Sequence, residues 1–267
     1  MRRGLTNSRT EAQRLIADNR VTVGGAPADK ASRLVHPGEA LEVARDGPRF
    51  VSRGGFKLEA ALERFAVDVA DVRAIDVGSS TGGFTDCLLR RGAREVVAVD
   101  VGRNQLHEKL RDDPRVRVFE QTDVRAVDTA AIGGPASLVV VDLSFISLRV
   151  VARELVALVD RPGDLVVLVK PQFEAGKLAA DRGRGVIRDP AVWRRAIIGA
   201  AGALCDSGAA IMGAMVSPLR GGEGNVEFLV HARVAEPLPD PEFSIDELAA
   251  LTVDEVEPRV EHGDEDV

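Results

Sequence analysis

The stretch Arg73 to Asp86, Arg-Ala-Ile-Asp-Val-Gly-Ser-Ser-Thr-Gly-Gly-Phe-Thr-Asp, constrains this chain more than any other. Ala74 to Val77 read as a buried strand, Gly78, Gly82 and Gly83 as a turn clear of side chains, and Phe84 to Arg91 as a helix. A strand, a glycine turn and a helix N-terminus together make a pocket for a polar ligand. The spacing narrows the ligand. A dinucleotide fingerprint, G-x-G-x-x-G, needs a second glycine so that a pyrophosphate can approach, and Ser80 stands there instead. Asp76, just ahead of the first glycine, suits an amino group rather than a phosphate. A turn that merely joins strand to helix would leave the same pattern, so the rest of the chain has to decide.

The next strand, Glu95-Val-Val-Ala-Val-Asp100, ends in an acid, as a ribose diol requires. D-x-G-x-x-x-G-G followed by a strand-end acid resembles the S-adenosylmethionine (SAM) site of Rossmann-like methyltransferases. The alternation continues with a helix near Gln105 to Arg111 and strands Val116 to Phe119 and Ser137 to Asp142. A helix Leu148 to Val159, a strand Asp164 to Val169 and a helix Pro190 to Leu204 follow. Near-continuous Val/Leu strands alternating with helices predict an α/β fold with a doubly wound parallel sheet, helices on both faces. Gly208 to Val216 and Asn225 to Ala232 read as an antiparallel edge hairpin. Asp76, Asp100, Asp123 and Asp142 all fall at strand ends, where such sheets bind ligands. A single acid there is often the cap of the next helix; four in succession are harder to explain that way.

Residues 1–47 read as a separate small α+β unit. Ser8 to Asn19 opens with a capping box, Ser8 to Glu11, and carries apolar residues at helical spacing. Arg20-Val-Thr-Val-Gly-Gly-Ala26 is a strand and glycine turn, and Leu34 to Val43 a turn and a second strand. This basic helix followed by V-x-V-x-G and G-E-x-L-x-V resembles the S4 RNA-binding fold. Against that family the chain opens inside the leading helical stretch, at Arg2 to Leu5, which predicts a shortened first helix or a start lying upstream. The alternative is a small basic cap with no ligand. The Gly-Pro pair at 47–48 and the loss of periodicity make residues 48–51 a stiff linker. Residues 52–235 then form the second domain.

Composition bounds the partners. Over 267 residues, 45% hydrophobic and 29% charged content are ordinary for a soluble globular chain of one or two domains. No apolar run approaches a membrane span, and Met1-Arg-Arg-Gly lacks the core of a signal peptide, so a cytoplasmic protein is expected. Cys87 and Cys205 sit among apolar neighbours in predicted helices and read as free thiols. No Cys/His cluster has metal-ligand spacing, so no metal is expected. The net charge of -7 conceals two opposed parts: residues 236–267 carry twelve acids and one Arg, while residues 1–57 carry eleven Lys or Arg against six acids. The basic front suits a polyanionic partner, although a solvated face accounts for an excess of that size too. The prolines and acids of residues 236–267 predict an unpacked tail, with at most a short helix from Ser244 to Leu251.

Four residues carry candidate chemistry: Lys57 in Ser-Arg-Gly-Gly-Phe-Lys-Leu, Asp142 in Val-Val-Val-Asp-Leu-Ser-Phe, Lys170 in Leu-Val-Leu-Val-Lys-Pro-Gln-Phe, and Glu227 in Gly-Asn-Val-Glu-Phe. A lysine where a buried strand emerges is desolvated, which favours its neutral, proton-accepting form. Each residue alone has a plainer reading, a snorkelling lysine or a solvent-facing carboxylate. In this order around the glycine turn they resemble the Lys-Asp-Lys-Glu tetrad of FtsJ-type ribose 2'-O-methyltransferases. With the S4-like unit, the chain resembles the TlyA (haemolysin A-like) family of ribosomal RNA methyltransferases. The resemblance runs from the first residues to about Val234 and leaves the acidic tail unmatched.

The resemblance implies methyl transfer from SAM to the ribose 2'-hydroxyl of a cytidine in ribosomal RNA, without a metal. Lys170 would be the base, Asp142 and Lys57 would orient it, and Glu227 would complete the network. Asp76 and the turn of Gly78, Ser79, Ser80, Thr81, Gly82 and Gly83 would hold the methionine part of SAM, Asp100 the ribose diol and Asp123 the adenine amine. RNA contacts are expected from Arg2, Arg3, Arg9, Arg14 and Arg53, and from Lys177, Arg182, Arg184 and Arg188 of the glycine-rich loop before Pro190. Three other classes compete. A membrane-active haemolysin lacks any spanning or strongly amphipathic basic segment. A catalytically dead RNA-binding protein does not account for the complete tetrad. A small-molecule O-methyltransferase leaves the S4-like unit and basic loop without a purpose.

Overall fold

A computed structural model of the chain describes residues 3–6, 8–17, 20–28, 30–44, 49–175 and 185–256. The N-terminal unit places helix α1 (Arg9–Ala17) against a three-stranded antiparallel sheet in the order β2 (Ala26–Pro27), β1 (Val21–Val23), β3 (Leu41–Val43). Its small core is Leu15, Val21, Val23 and Ala28. Ser8 Oγ accepts from Glu11 N at 3.1 Å, as the capping box requires of its first member.

The second unit begins with α2 (Gly54–Arg64), then β4 (Arg73–Val77), α3 (Gly83–Arg90), β5 (Glu95–Val99), α4 (Glu108–Arg111) and β6 (Val116–Phe119). After a 3-10 turn at Val124–Ala126 come β7 (Ala136–Val141), α5 (Leu148–Ala157), β8 (Val159–Val169), α6 (Pro171–Glu174), α7 (Pro190–Asp206), β9 (Ala210–Val216), β10 (Phe228–Val234) and α8 (Ile245–Asp254). The seven strands form one sheet in the order β6-β5-β4-β7-β8-β10-β9. β10 alone is reversed, inserted between β8 and β9, so the closing pair forms the antiparallel edge.

The valine-rich strands are buried on both faces because helices cover both. Ile75, Val77, Val97, Val99, Val139, Val141, Leu165 and Val167 pack under α5 and α7. Their alternates Ala74, Val96, Ala98, Leu138, Val140, Val166 and Leu168 pack under α2 and α3. The order turns at β4, whose neighbours β5 and β7 lead outward in opposite directions, so the crevice opens at the carboxyl ends of β4 and β7.

Two expectations need correction. Residues 49–51 are not a linker: Phe50 is 2% exposed, its ring lies edge-on to Phe56 at 4.9 Å, and Val51 N donates to Asp86 Oδ2 at 2.9 Å. Gly55 allows this, since a Cβ there would meet Phe50 at 2.4 Å. The tail is also partly folded. α8 has a complete capping box between Ser244 and Glu247, buries Ala249 fully and packs on α7 and β9. Acid excess hid an apolar stripe (Ile245, Leu248, Ala249, Val253) that covers the end of the core. Residues 257–267 lie outside the described residues.

Candidate active site

Chain topology brings the tetrad to one end of the sheet. Asp142 follows β7 and Lys170 follows β8. Glu227 immediately precedes β10 rather than lying within it, and because β10 runs antiparallel with Phe228 opposite Val169, its start meets the end of β8. Lys57 comes from α2, on the far side of the glycine turn.

The four side chains form two ion pairs. Lys57 Nζ donates to Glu227 Oε2 at 2.5 Å, with the residues 8% and 3% exposed. Lys170 Nζ lies 2.6 Å from Asp142 Oδ1 and donates to Ser144 Oγ at 2.8 Å. Lys57 and Asp142 line a first cleft, with Gly78, Ser79, Ser80, Thr81 and Gly83 of the turn. Lys170 and Glu227 line a second, of about 290 Å³, with Ser144, Phe145, Gln172, Phe173 and Glu223. Each pair therefore joins a residue of one cleft to a residue of the other.

Beneath the first cleft Asp76 is wholly buried. Thr85 Oγ1 donates to its Oδ2 at 2.6 Å, while Oδ1 has no hydrogen-bond partner among the described residues. Burial raises its carboxyl to about 7, Asp142 and Asp100 push the same way, and the Thr85 hydrogen bond opposes them. The turn is tight: Gly78 has φ +84° and a Cβ there would lie 2.5 Å from the Asp142 carbonyl oxygen, while one on Gly83 would meet Ser52 Oγ at 2.2 Å. Asp100 braces the turn, accepting from Ser80 N at 2.8 Å and Gly102 N at 2.6 Å. Asp123 accepts from Arg125 N and pairs with the Arg125 guanidinium at 2.5 Å, which holds its carboxyl at about 2. Neither Asp76, Asp100 nor Asp123 lines the two clefts.

Of the expected RNA contacts, Arg2, Lys177, Arg182 and Arg184 lie outside the described residues. Arg9, Arg14 and Arg188 are exposed. Arg3 donates to the carbonyls of His36, Pro37 and Glu39, so it braces the N-terminal unit. Arg53 is half-buried, donates to the Arg220 carbonyl at 2.7 Å and keeps a buried Nε with no partner among the described residues.

Several residues escaped the sequence reading. Asn225, 1% exposed, accepts from Ile187 N and donates to the Gly185 carbonyl, both at 2.8 Å, which ties the chain ahead of α7 to the loop leading into Glu227. Glu174 accepts from Ser147 Oγ at 2.6 Å and Leu148 N at 2.7 Å, which holds α6 to the start of α5. Phe145 is 92% exposed with φ +66°, strained for an aromatic residue, and its ring centroid lies 5.1 Å from that of Phe173. The only available signal was adjacency, since each lies within five residues of a tetrad member.

The α/β fold is shared with solved structures described as SAM-dependent methyltransferases. A methyltransferase of that kind from Listeria monocytogenes superposes with a TM-score of 0.51 at 15% identity, covering 67% of this chain and 97% of that one. The FtsJ-like methyltransferase family model matches residues 50–234, and the S4 domain model residues 2–41. A Mycobacterium tuberculosis protein named 16S/23S rRNA (cytidine-2'-O)-methyltransferase TlyA is 48% identical over 234 residues, 87% of each chain. A solved structure from Streptococcus thermophilus, described as a hemolysin, has a TM-score of 0.72 at 38% identity and covers 95% of this chain and 93% of its own. The chain belongs to the TlyA family of FtsJ-like methyltransferases. Among the described residues no helix is long and apolar enough to cross a membrane, and no group of His, Cys, Asp and Glu could hold a metal ion.

Proposed function

We propose that this chain methylates the 2'-hydroxyl of a cytidine in ribosomal RNA, using SAM. The observation that carries the reading is the two ion pairs that link two clefts, one lined by the glycine turn and one by aromatic side chains. The residues present fit SAM. Asp76 offers a buried oxygen without a hydrogen-bond partner among the described residues, and the turn beside it presents small residues to a polar cleft. Gly78 to Gly83 would hold the methionine part over Asp76; Asp100, which here braces the turn, would turn to the ribose diol, and Asp123 would exchange its Arg125 partner for the adenine amine. Bound there, SAM supplies a methyl group activated by its sulfonium.

A ribose hydroxyl is a very weak acid, so its oxygen becomes an effective nucleophile only as its proton leaves. Lys170 Nζ, at the wall of the second cleft, first releases its own proton to solvent; the free amine then receives the hydroxyl proton, and the Asp142 carboxylate at 2.6 Å holds the ammonium that re-forms. Ser144 fixes the lysine rotamer through the bond at 2.8 Å. Lys57 and Glu227 hold the wall between the clefts and keep water from the reacting oxygen. Alignment of hydroxyl and methyl group supplies much of the remaining acceleration.

Incubation of the protein and radiolabelled SAM with unmethylated ribosomal subunits and intact ribosomes tests this. Label is expected in ribosomal RNA, mapping to a cytidine 2'-oxygen and lost with Lys170→Ala. Label on a base, or undiminished transfer by that variant, would refute the assignment.

A further inference from the structure

The second cleft holds two hydrogen-bond acceptors that the reaction scheme leaves idle. Both Gln172 and Glu223 line it with Lys170 and Glu227: Gln172 from α6, Glu223 from the loop that leads to Glu227. Gln172 Oε1 is shut off from water and has no hydrogen-bond partner among the described residues. A buried amide oxygen without a donor is an unsatisfied group, which native structures rarely keep without a reason. No hydrogen bond among the described residues holds its terminal amide, so rotation about χ3 can carry the oxygen round to the cleft. Glu223 leans over Gly185 at the same cleft, its Oε2 3.1 Å from where a Cβ on that glycine would sit. Its loop is fixed against the tetrad because Gly221 lets the backbone approach Glu227 Oε1; a Cβ there would be 2.6 Å away. An ionised carboxylate can only accept.

Resting on the reading above, in which this cleft receives the target nucleoside, we propose that Gln172 and Glu223 select the base by accepting hydrogen bonds from an exocyclic amine. RNA is read where bases are splayed out, stacked on aromatic rings and hydrogen-bonded along their edges. Phe145 and Phe173 supply rings beside Lys170. Cytosine carries two N–H donors on its 4-amino group, one for each acceptor. Uracil has a carbonyl oxygen at that position, which would face a carboxylate and an amide oxygen with no proton between them. Acceptance from the cytosine amine is the pairing expected of a glutamate at a base edge.

The test uses the full-length protein and ribosomal subunits in which the mapped target cytidine is either kept or replaced by uridine, with single-turnover rates read from radiolabelled SAM. Wild type is expected to favour the cytidine target by about a hundredfold or more. Glu223→Gln, which can donate, and Gln172→Met, which can do neither, should each cut that preference by about tenfold, with SAM affinity unchanged. A preference that stays at the wild-type value in both variants overturns the proposal, as does a wild-type enzyme that methylates both targets equally. If wild type labels neither subunit, the functional reading itself falls, and this inference with it.

Discussion

Breaking the Lys57–Glu227 pair separates the tetrad's catalytic work from its structural work. Both residues are almost fully buried and meet at 2.5 Å, so removing one leaves an uncompensated charge beneath α2. The expected loss is about 3–5 kcal/mol for Lys57→Met or Glu227→Leu alone. In a domain of this size that lowers the melting temperature by roughly 10 °C. The double variant Lys57→Met/Glu227→Leu removes both charges and fills the space with apolar groups of similar volume. It should return to within about 1 kcal/mol of wild type, or exceed it, because a buried pair gains little over well-packed hydrocarbon once desolvation is counted. Its methyl transfer should stay at the background level of Lys170→Ala. Thermal melts of the four proteins close the cycle, and transfer to ribosomal subunits is measured on the same samples. Losses that simply add, leaving the double variant as unstable as the sum of the singles, would refute the pairing. A stable double variant that still transfers methyl would refute its place in catalysis.

Two further outcomes follow from the same geometry. The Asp76 carboxyl is raised from 3.8 to about 7 in the folded protein, so its contribution to stability is complete below pH 3.8 and is lost as pH climbs through 7. Urea unfolding should show wild type losing up to about 4 kcal/mol relative to Asp76→Asn between pH 4 and 8, and equal pH slopes for the two would exclude the shift. In the C-terminal segment, Ala249→Glu places a charge where the chain is fully buried against α7 and should cost about 3 kcal/mol in a melt, whereas Leu251→Glu, at a position 52% exposed, should be neutral. Indifference to both would return the segment to an unpacked tail.

How far the sequence reads without the structure varies by element. The valine strands and glycine turn were legible because their periodicity and chain-reversing glycines are local properties. The elements they name agree with the structure to within a few residues. The short helix from Ser244 was foreseen, but the packing of α8 was missed because overall acidity outweighed its four-residue apolar stripe, and that of residues 49–51 because Gly-Pro composition outweighed one phenylalanine. Asn225 and Glu174 look like ordinary polar loop residues; their partners lie 38 and 26 positions away, and composition does not encode such distances.

What this sequence determined by itself was therefore the alternation of strands and helices, the glycine turn after β4 and the types of the four ionisable residues. Local hydrophobic period and backbone freedom act within a dozen residues. What only the tertiary structure decided was the pairing: Lys57 with Glu227 across 170 positions, Lys170 with Asp142, and Glu227 at the active end because β10 alone runs backwards. Ion pairs and strand order depend on which surfaces bury together, and that is settled by the packing of the whole sheet between its two helical layers.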